Sequence, residues 1–363
     1  MTQILAIGDL HFRVDNLQPS EQLLQQVESW LKHHTVNFIV ILGDVLHSHE
    51  KVFTFAMNMA VKFIRMCATY AVTYVMVGNH DATSNTFYCG DNHWMNVLRE
   101  LPYVVVVDKP TYLTNTKVMC CPYVSNGRFV EALNEFAGEG WNTSPLIFAH
   151  QLLDGAKMGG IVSTGVEKWP LDYPMVISGH LHERQQPQGN LYYTGSSQQT
   201  TFAEQDDKSI VVVSVANEAT ASTEGGTSTS GGSGAVKIRE IFLTLQQRKT
   251  VYMSVAEVQH FNFANISSTS EVKVVIKDDD AAIKAFKKSL KYKQMEQLPQ
   301  VKAVQFKPAV ASTMPHTSTE PKEFAELLLQ RLEQQDDPYL VSYGKHLLNP
   351  HEEDCSDKAV VLM

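Results

Sequence analysis

Cysteine is scarce in this chain. Its five copies (Cys67, Cys89, Cys120, Cys121 and Cys355) are an odd, scattered set without Cys-x-x-Cys spacing. A disulfide framework is therefore not expected, and free thiols in a reducing, intracellular compartment are. Long apolar runs are missing as well. None approaches the ~18–20 residues that span a bilayer, so no transmembrane helix and no membrane role are expected. The N-terminus has no charged stretch and reaches a polar motif by Asp9, so a signal peptide is not expected either. Positive charge is also short. Lys and Arg number 30 against 39 Asp and Glu, and Glu320 to Lys358 alone carries −6 of the net −9. A global positive field is excluded, so a nucleic-acid partner would be met by local basic patches and metal ions.

What is present is an ordinary globular composition, 44% apolar over 363 residues, with a prior of two domains. The first two hundred residues alternate strand and helix signals. Strand-like runs are Ile4–Ile7, Phe38–Leu42, Val72–Val77, Val104–Val107, Leu146–Phe148, Met175–Ile177, Leu191–Tyr193 and Ile210–Val215. Several are continuous Val/Ile/Leu runs, as in strands buried on both faces. Ser20 reads as the N-cap of a helix carrying Leu23, Leu24, Val27, Trp30 and Leu31. Lys51–Tyr70 reads as a second helix, apolar on most faces and so well buried. The alternation predicts an α/β domain over residues 1–216.

Residues 217–234 are rich in Gly, Ser and Thr and cannot bury enough apolar surface to order themselves. They fit a loop between neighbouring strands as well as a domain linker. A smaller α+β unit follows over 235–308, with strands at Val236–Leu245, Thr250–Val255, Val272–Ile276 and Val301–Phe306 and a helix over Ala281–Lys293. Residues 309–363 read as a linker, an amphipathic helix and an acidic tail.

The chemistry lies in five short polar blocks, each after an apolar run. They are Asp9-Leu10-His11, Gly43-Asp44-Val45-Leu46-His47, Gly78-Asn79-His80-Asp81, His150, and Gly179-His180-Leu181-His182. Ligands of open α/β sheets gather at the carboxyl ends of strands, so separate loops can bring these side chains to one point. Imidazole with carboxylate favours manganese, iron or zinc over magnesium or calcium. A carboxylate such as Asp44 can bridge two cations, which together can hold a shared hydroxide and polarise a phosphate oxygen. His80 is placed to protonate a leaving group, with Asp81 to orient it. Any one block alone is weak; five in order are not. Among the histidines outside the blocks, only His49, two after His47, is near enough to one to matter.

These residues resemble the calcineurin-like metallophosphoesterases, and within them the Mre11/SbcD-type DNA double-strand-break repair nucleases. The histidine three after Asp44 points to that branch. So does Leu191-Tyr192-Tyr193-Thr194-Gly195-Ser196-Ser197, followed by Glu204 and Lys208. The resemblance covers about residues 1–215. It implies a four-layer α/β/β/α sandwich with a smaller α+β capping domain and a helical C-terminal tail. It also implies one metal on Asp9, His11, Asp44 and His182, and another on Asp44, Asn79, His150 and His180. His80 would be the catalytic histidine, and His47 would help place the DNA strand. Manganese, DNA as substrate, a homodimer and a Rad50/SbcC-type coiled-coil ATPase partner are implied in the same way. The alternative is a metallophosphoesterase of another class, acting on small phosphodiesters or phosphoproteins. A non-catalytic binding module is disfavoured because every ligand position is filled.

Two surfaces are candidates for binding. Lys284, Lys287, Lys288 and Lys291, on the helix over Ala281–Lys293, suit a phosphate backbone, with Ile283, Phe286 and Leu290 on the opposite face. Phe324, Leu327, Leu328 and Leu332 form the apolar stripe of the tail helix and suit the ATPase coiled coil.

Overall fold

A computed structural model describes residues 1–49, 51–216, 236–267 and 269–308. Two six-stranded sheets dominate it. In spatial order the first runs Val236–Phe242, Ser209–Val215, Thr2–Ile7, Phe38–Ile41, Val72–Met76 and Val104–Val107. The second runs Gln185–Gln188, Leu191–Tyr193, Met175–Ser178, Leu146–Ala149, Met119–Cys121 and Thr111–Tyr112.

Alternation along each strand explains the layering. Ile4, Ala6, Val40, Leu42, Tyr74 and Met76 point from the first sheet toward Cys120, Phe148, Ile177 and Tyr192 of the second. Leu5, Ile7, Ile39, Ile41 and Val75 point the other way, under the helices Leu17–Leu31 and Thr54–Ala68. On the far side of the second sheet, Ile147, Ala149 and Tyr193 pack against Phe129, Leu133 and Trp169. The order is helix, sheet, sheet, helix, the expected four-layer sandwich.

All eight strands expected in the first two hundred residues are present. Five polar or short ones, Thr111–Tyr112, Met119–Cys121, Lys157–Met158, Ile161–Val162 and Gln185–Gln188, escape the pattern. The first helix starts one turn before the expected cap. It opens at Leu17, with Asn16 at the N-cap position. Ser20 is buried inside the first turn, its Oγ 3.3 Å from Asn16 Oδ1 and 3.2 Å from Gln198 Oε1. The second helix is buried on one side only: Ala56, Ala60, Phe63, Ile64 and Cys67 are covered, whereas Phe55 is 68% exposed.

Val236–Phe242 does not open a separate unit. It pairs antiparallel with Ser209–Val215 along its whole length, as the edge strand of the first sheet. Residues 217–235 therefore connect two neighbouring strands. The remaining strands, Gln247–Met253, Ser270–Asp278 and Val301–Pro308, form a parallel three-stranded sheet. The helix expected over Ala281–Lys293 is broken into Asp280–Lys287 and Leu290–Glu296, because the Ser289 hydroxyl accepts from the Tyr292 N–H and caps a new helix. The break leaves Leu290 70% exposed, while Ile283 and Phe286 are buried.

Candidate metal centre

Thr2–Ile7, Phe38–Ile41 and Val72–Met76 are parallel, and so are Leu146–Ala149 and Met175–Ser178 in the second sheet. Asp9, Asp44, Asn79, His150 and His180 each follow one of these strands. The chain thus brings all seven expected ligands to one end of the sandwich.

They form two sets that share Asp44. In one, His11 Nε2 lies 2.8 Å from His182 Nε2 and 3.6 Å from Asp44 Oδ2. The donor atoms of Asp9, His11 and Asp44 lie within 4.8 Å of one another. In the other, Asn79 Oδ1 lies 3.1 Å from His150 Nε2 and 2.9 Å from His180 Nδ1, and Asp44 Oδ1 lies 3.3 Å from His150 Nε2.

Nitrogen and oxygen atoms converging at these distances are spaced as the ligands of a cation are. Asp9 Oδ2 makes the same point: it is buried and has no hydrogen-bond partner. The other ring nitrogens are already fixed. His150 Nδ1 donates to the Leu42 carbonyl over 2.6 Å, and His182 Nδ1 donates to Glu204 Oε1 over 3.1 Å. Each ring is thereby held with Nε2 toward the cluster. The donor set fits two divalent cations.

The electrostatics of His11 and His180 agree. Burial pushes His180 down to about 3 and His11 well below its ordinary value, so both rings are neutral, the form that ligates. Burial opposes charge on His150 too, but Asp44 and Asp9 beside it raise it to about 9. Burial raises Asp9. Burial opposes the charge of Asp44 as well, but His150 and His11 outweigh it and hold that carboxyl low.

The backbone is bent to make the site. Among the described residues, six other than glycine have positive φ, and His11, Asp44 and His180 are three of them. Such conformations cost about 1–3 kcal/mol each and persist where the surroundings enforce them. Gly78 permits a close approach: a Cβ there would sit 2.2 Å from both the backbone nitrogen and Oδ1 of Asp44.

His47 and His80 flank the cluster. Their rings are stacked 5.6 Å apart, and each is edge-on to His11. His80 Nδ1 donates to the His47 carbonyl, so Nε2 is the nitrogen that faces Asp44 Oδ2, 4.0 Å away. His49 stacks on the other side of His80 at 4.3 Å.

Asp81 does not orient His80. Its carboxylate accepts from the backbone N–H groups of Val45, Leu46 and Gly78 at 3.1 Å each, and from Trp94 Nε1 at 2.9 Å. It clamps the ligand loops together. Burial and the charge of Asp44 raise its carboxyl to about 6, while the bonds from Trp94, Leu46 and Val45 act in the opposite direction.

Glu204 and Lys208, noted only as part of a resemblance, form a second layer behind His182. Glu204 takes Lys208 Nζ at 2.8 Å, Ser196 Oγ at 3.1 Å and the Thr200 hydroxyl. Tyr123, whose ring lies 5.9 Å from that of His180, had no signal in the sequence. The lysine cluster is partly occupied by local contacts. Lys287 sits 4.4 Å over the Phe306 ring and Lys291 donates to the Phe261 carbonyl, while Lys284 and Lys288 are exposed. Phe324, Leu327, Leu328 and Leu332 lie outside the described residues.

Comparison with known proteins places this geometry. Residues 2–184 match the family model of the calcineurin-like phosphoesterases. "Putative phosphoesterase 244L" of Invertebrate iridescent virus 6 is 34% identical over 289 residues, 79% of this chain and 98% of that protein. "Putative phosphoesterase 078R" of Invertebrate iridescent virus 3 is 31% identical over 349 residues, 95% of this chain and 96% of that one. A solved Vps29 structure from Entamoeba histolytica aligns with 67% of this chain at 13% identity, with a TM-score of 0.28, too low to argue a shared fold.

Proposed function

We propose that DNA is the substrate of this chain, which belongs to the calcineurin-like phosphoesterase family and is a metal-dependent hydrolase of phosphoester bonds. The reading is a manganese-dependent nuclease that cuts phosphodiester bonds, as in the Mre11/SbcD-type enzymes its motifs resemble. The observation that carries it is the pair His47 and His80 beside the cluster, outside both ligand sets. A sugar oxygen leaving phosphorus needs a proton, and His80 would supply it from Nε2, which faces Asp44 Oδ2, when the ring carries a proton on both nitrogens. His47 stands next to it, half-buried, where the strand beyond the scissile phosphate would pass.

When bound, two divalent cations supply a nucleophile at neutral pH and neutralise charge on the phosphate. The chain does the rest. Asp44 offers one oxygen to each set, Glu204 keeps His182 turned inward, and the His47 carbonyl holds His80 by Nδ1 so that Nε2 is the nitrogen left to exchange a proton. Four imidazoles with carboxylate and amide oxygens favour manganese over magnesium. A homodimer and a Rad50/SbcC-type coiled-coil ATPase belong to the same reading and are supported by the sequence resemblance alone.

The test is cleavage of end-labelled duplex and single-stranded DNA with manganese or magnesium, beside a chelator control and His80→Ala. Manganese-dependent cutting that is lost in the variant is expected. Hydrolysis of a small aryl phosphodiester with DNA left intact, including when the ATPase partner is added, would overturn DNA in favour of a small or protein-borne phosphoester.

A further inference from the structure

The three-stranded sheet has two unlike faces. Val251, Val274, Ile276, Val304 and Phe306 pack with Phe286, Met295 and Val258 of the short helices. The register puts Thr250, Tyr252, Lys273, Val275, Gln305 and Lys307 on the other face. That second face walls an open cleft of about 930 Å³, whose opposite wall is the segment 199–206. Lys284 and Lys288, on a helix packed against the first face, are on the wrong side of the sheet to line it.

The cleft is cationic. The side chains of Lys273 and Lys307 face it, and among the described residues no carboxylate pairs with them. The acids nearby are largely taken: Glu204 by Lys208 and His182, Glu271 by Arg248 at 2.9 Å and Lys302 at 3.6 Å. Asp206 is the remaining acid in the lining. Lys277 stands opposite Lys307 in the register, and like charges across strands repel unless they share an anion. The cleft also offers rings. Tyr252 is 59% exposed, with Lys277 Nζ 4.8 Å from its centroid, and Phe202 lies across from it, with Arg248 Cζ 5.9 Å from its centroid.

One loop touches both the cleft and the metal centre. Arg248 Nη1 and Arg13 Nη2 both donate to the Thr200 carbonyl, at 2.8 and 2.7 Å. Glu204, on the cleft wall, is the residue that holds His182.

We propose that this cleft binds a single-stranded polynucleotide, with phosphates on Lys273 and Lys307 and bases on Tyr252 and Phe202. It rests on DNA being the substrate of the metal centre, and it gives that substrate a path. Cations beside accessible rings are the pattern of single-strand binders, because only unpaired bases expose their faces for stacking. A duplex hides those faces, and an acidic peptide would use the lysines without the rings.

The experiment measures fluorescence anisotropy of a labelled oligothymidylate of about 15 nucleotides. It uses the full chain in chelator, so that nothing is cut, across a salt series. Lys273→Gln with Lys307→Gln should weaken binding and lower the slope of log affinity against log salt by about 1.4. Tyr252→Ala should weaken binding about 10-fold at every salt concentration and leave the slope alone. Lys284→Gln with Lys288→Gln should bind like the parent. Hydrolysis of a small aryl phosphodiester, measured with manganese, should be unchanged in all of them, which shows that they fold. No binding by the parent, unchanged affinity and slope in the cleft variants, better binding of duplex, or equal competition by polyglutamate would each sink the proposal. DNA cutting by the parent with unaltered binding by the cleft variants would remove the cleft and leave the nuclease. Binding lost in those variants, with no cutting by the parent, would do the reverse.

Discussion

The ring of His80 hangs from the backbone of His47: its Nδ1 donates to that carbonyl over 2.6 Å. The bond fixes which nitrogen faces the metal centre without using either ligand set. His80→Ala should therefore lower kcat by about 10²- to 10⁴-fold and leave metal stoichiometry unchanged. Titration calorimetry with manganese beside steady-state kinetics separates the two. Loss of a bound metal would make His80 a ligand instead of the acid.

Asp81 should behave as a structural residue. An amide in its place has one good acceptor for four donors and turns an N–H₂ toward some of them. Asp81→Asn should cost about 2–4 kcal/mol of stability, from buried donors left unmatched at about 1–3 kcal/mol each. Urea unfolding measures it. Full stability with lost turnover would return Asp81 to the reaction.

Gly78→Ala should damage metal binding. The added carbon meets backbone and carboxylate of Asp44 at 2.2 Å, and no flexible side chain can yield. Overpacking of this kind costs about 1–3 kcal/mol, and Asp44, which serves both sets, must shift. The expected result is loss of bound divalent metal from a folded protein, read by elemental analysis and circular dichroism.

Glu204→Gln tests the layer behind His182. It weakens the bond to Nδ1 and leaves Lys208, buried, without its carboxylate. Metal affinity should fall about 10- to 100-fold. Equal affinity would mean that packing alone orients His182.

Acid should weaken the protein partly through Asp108. Burial opposes its charge, but His93 and Arg99 hold its carboxyl below the ordinary range. With the folded value below the unfolded one, its contribution is present above the unfolded value of about 3.9 and is lost as pH falls through the folded value. Asp108→Asn should lower the urea midpoint at about pH 7 and change it little at about pH 3. A uniform drop at both would show that lost packing, not charge, is responsible.

The metal centre was legible in the sequence because its chemistry is carried by residue types just past apolar strands, and strand ends are where a sandwich converges. The four-layer order came with the family resemblance. What misled was sequence adjacency. Asp81 follows His80 directly, yet the turn that takes the Asp81 N–H back to the Gly78 carbonyl sends their side chains apart. The run Ala281–Lys293 keeps a helical pattern across Ser289, and only the bond from Tyr292 to the Ser289 hydroxyl shows that the helix restarts there. The cleft was not legible at all. Lys273 and Lys307 are 34 positions apart in the chain, and parallel pairing puts them on one surface.

The paired strands Ser209–Val215 and Val236–Phe242 also decide where the chain can be opened. Their register puts Val215 beside both Val236 and Thr2, at the end of the sheet opposite the loops that carry Asp9 and Asp44. The chain thus leaves the first sheet and returns to it on the side remote from catalysis. A reporter domain or an affinity handle spliced between those two strands would hang from the back of the enzyme. New chain ends created there by circular permutation would do so too, with the reacting face left free.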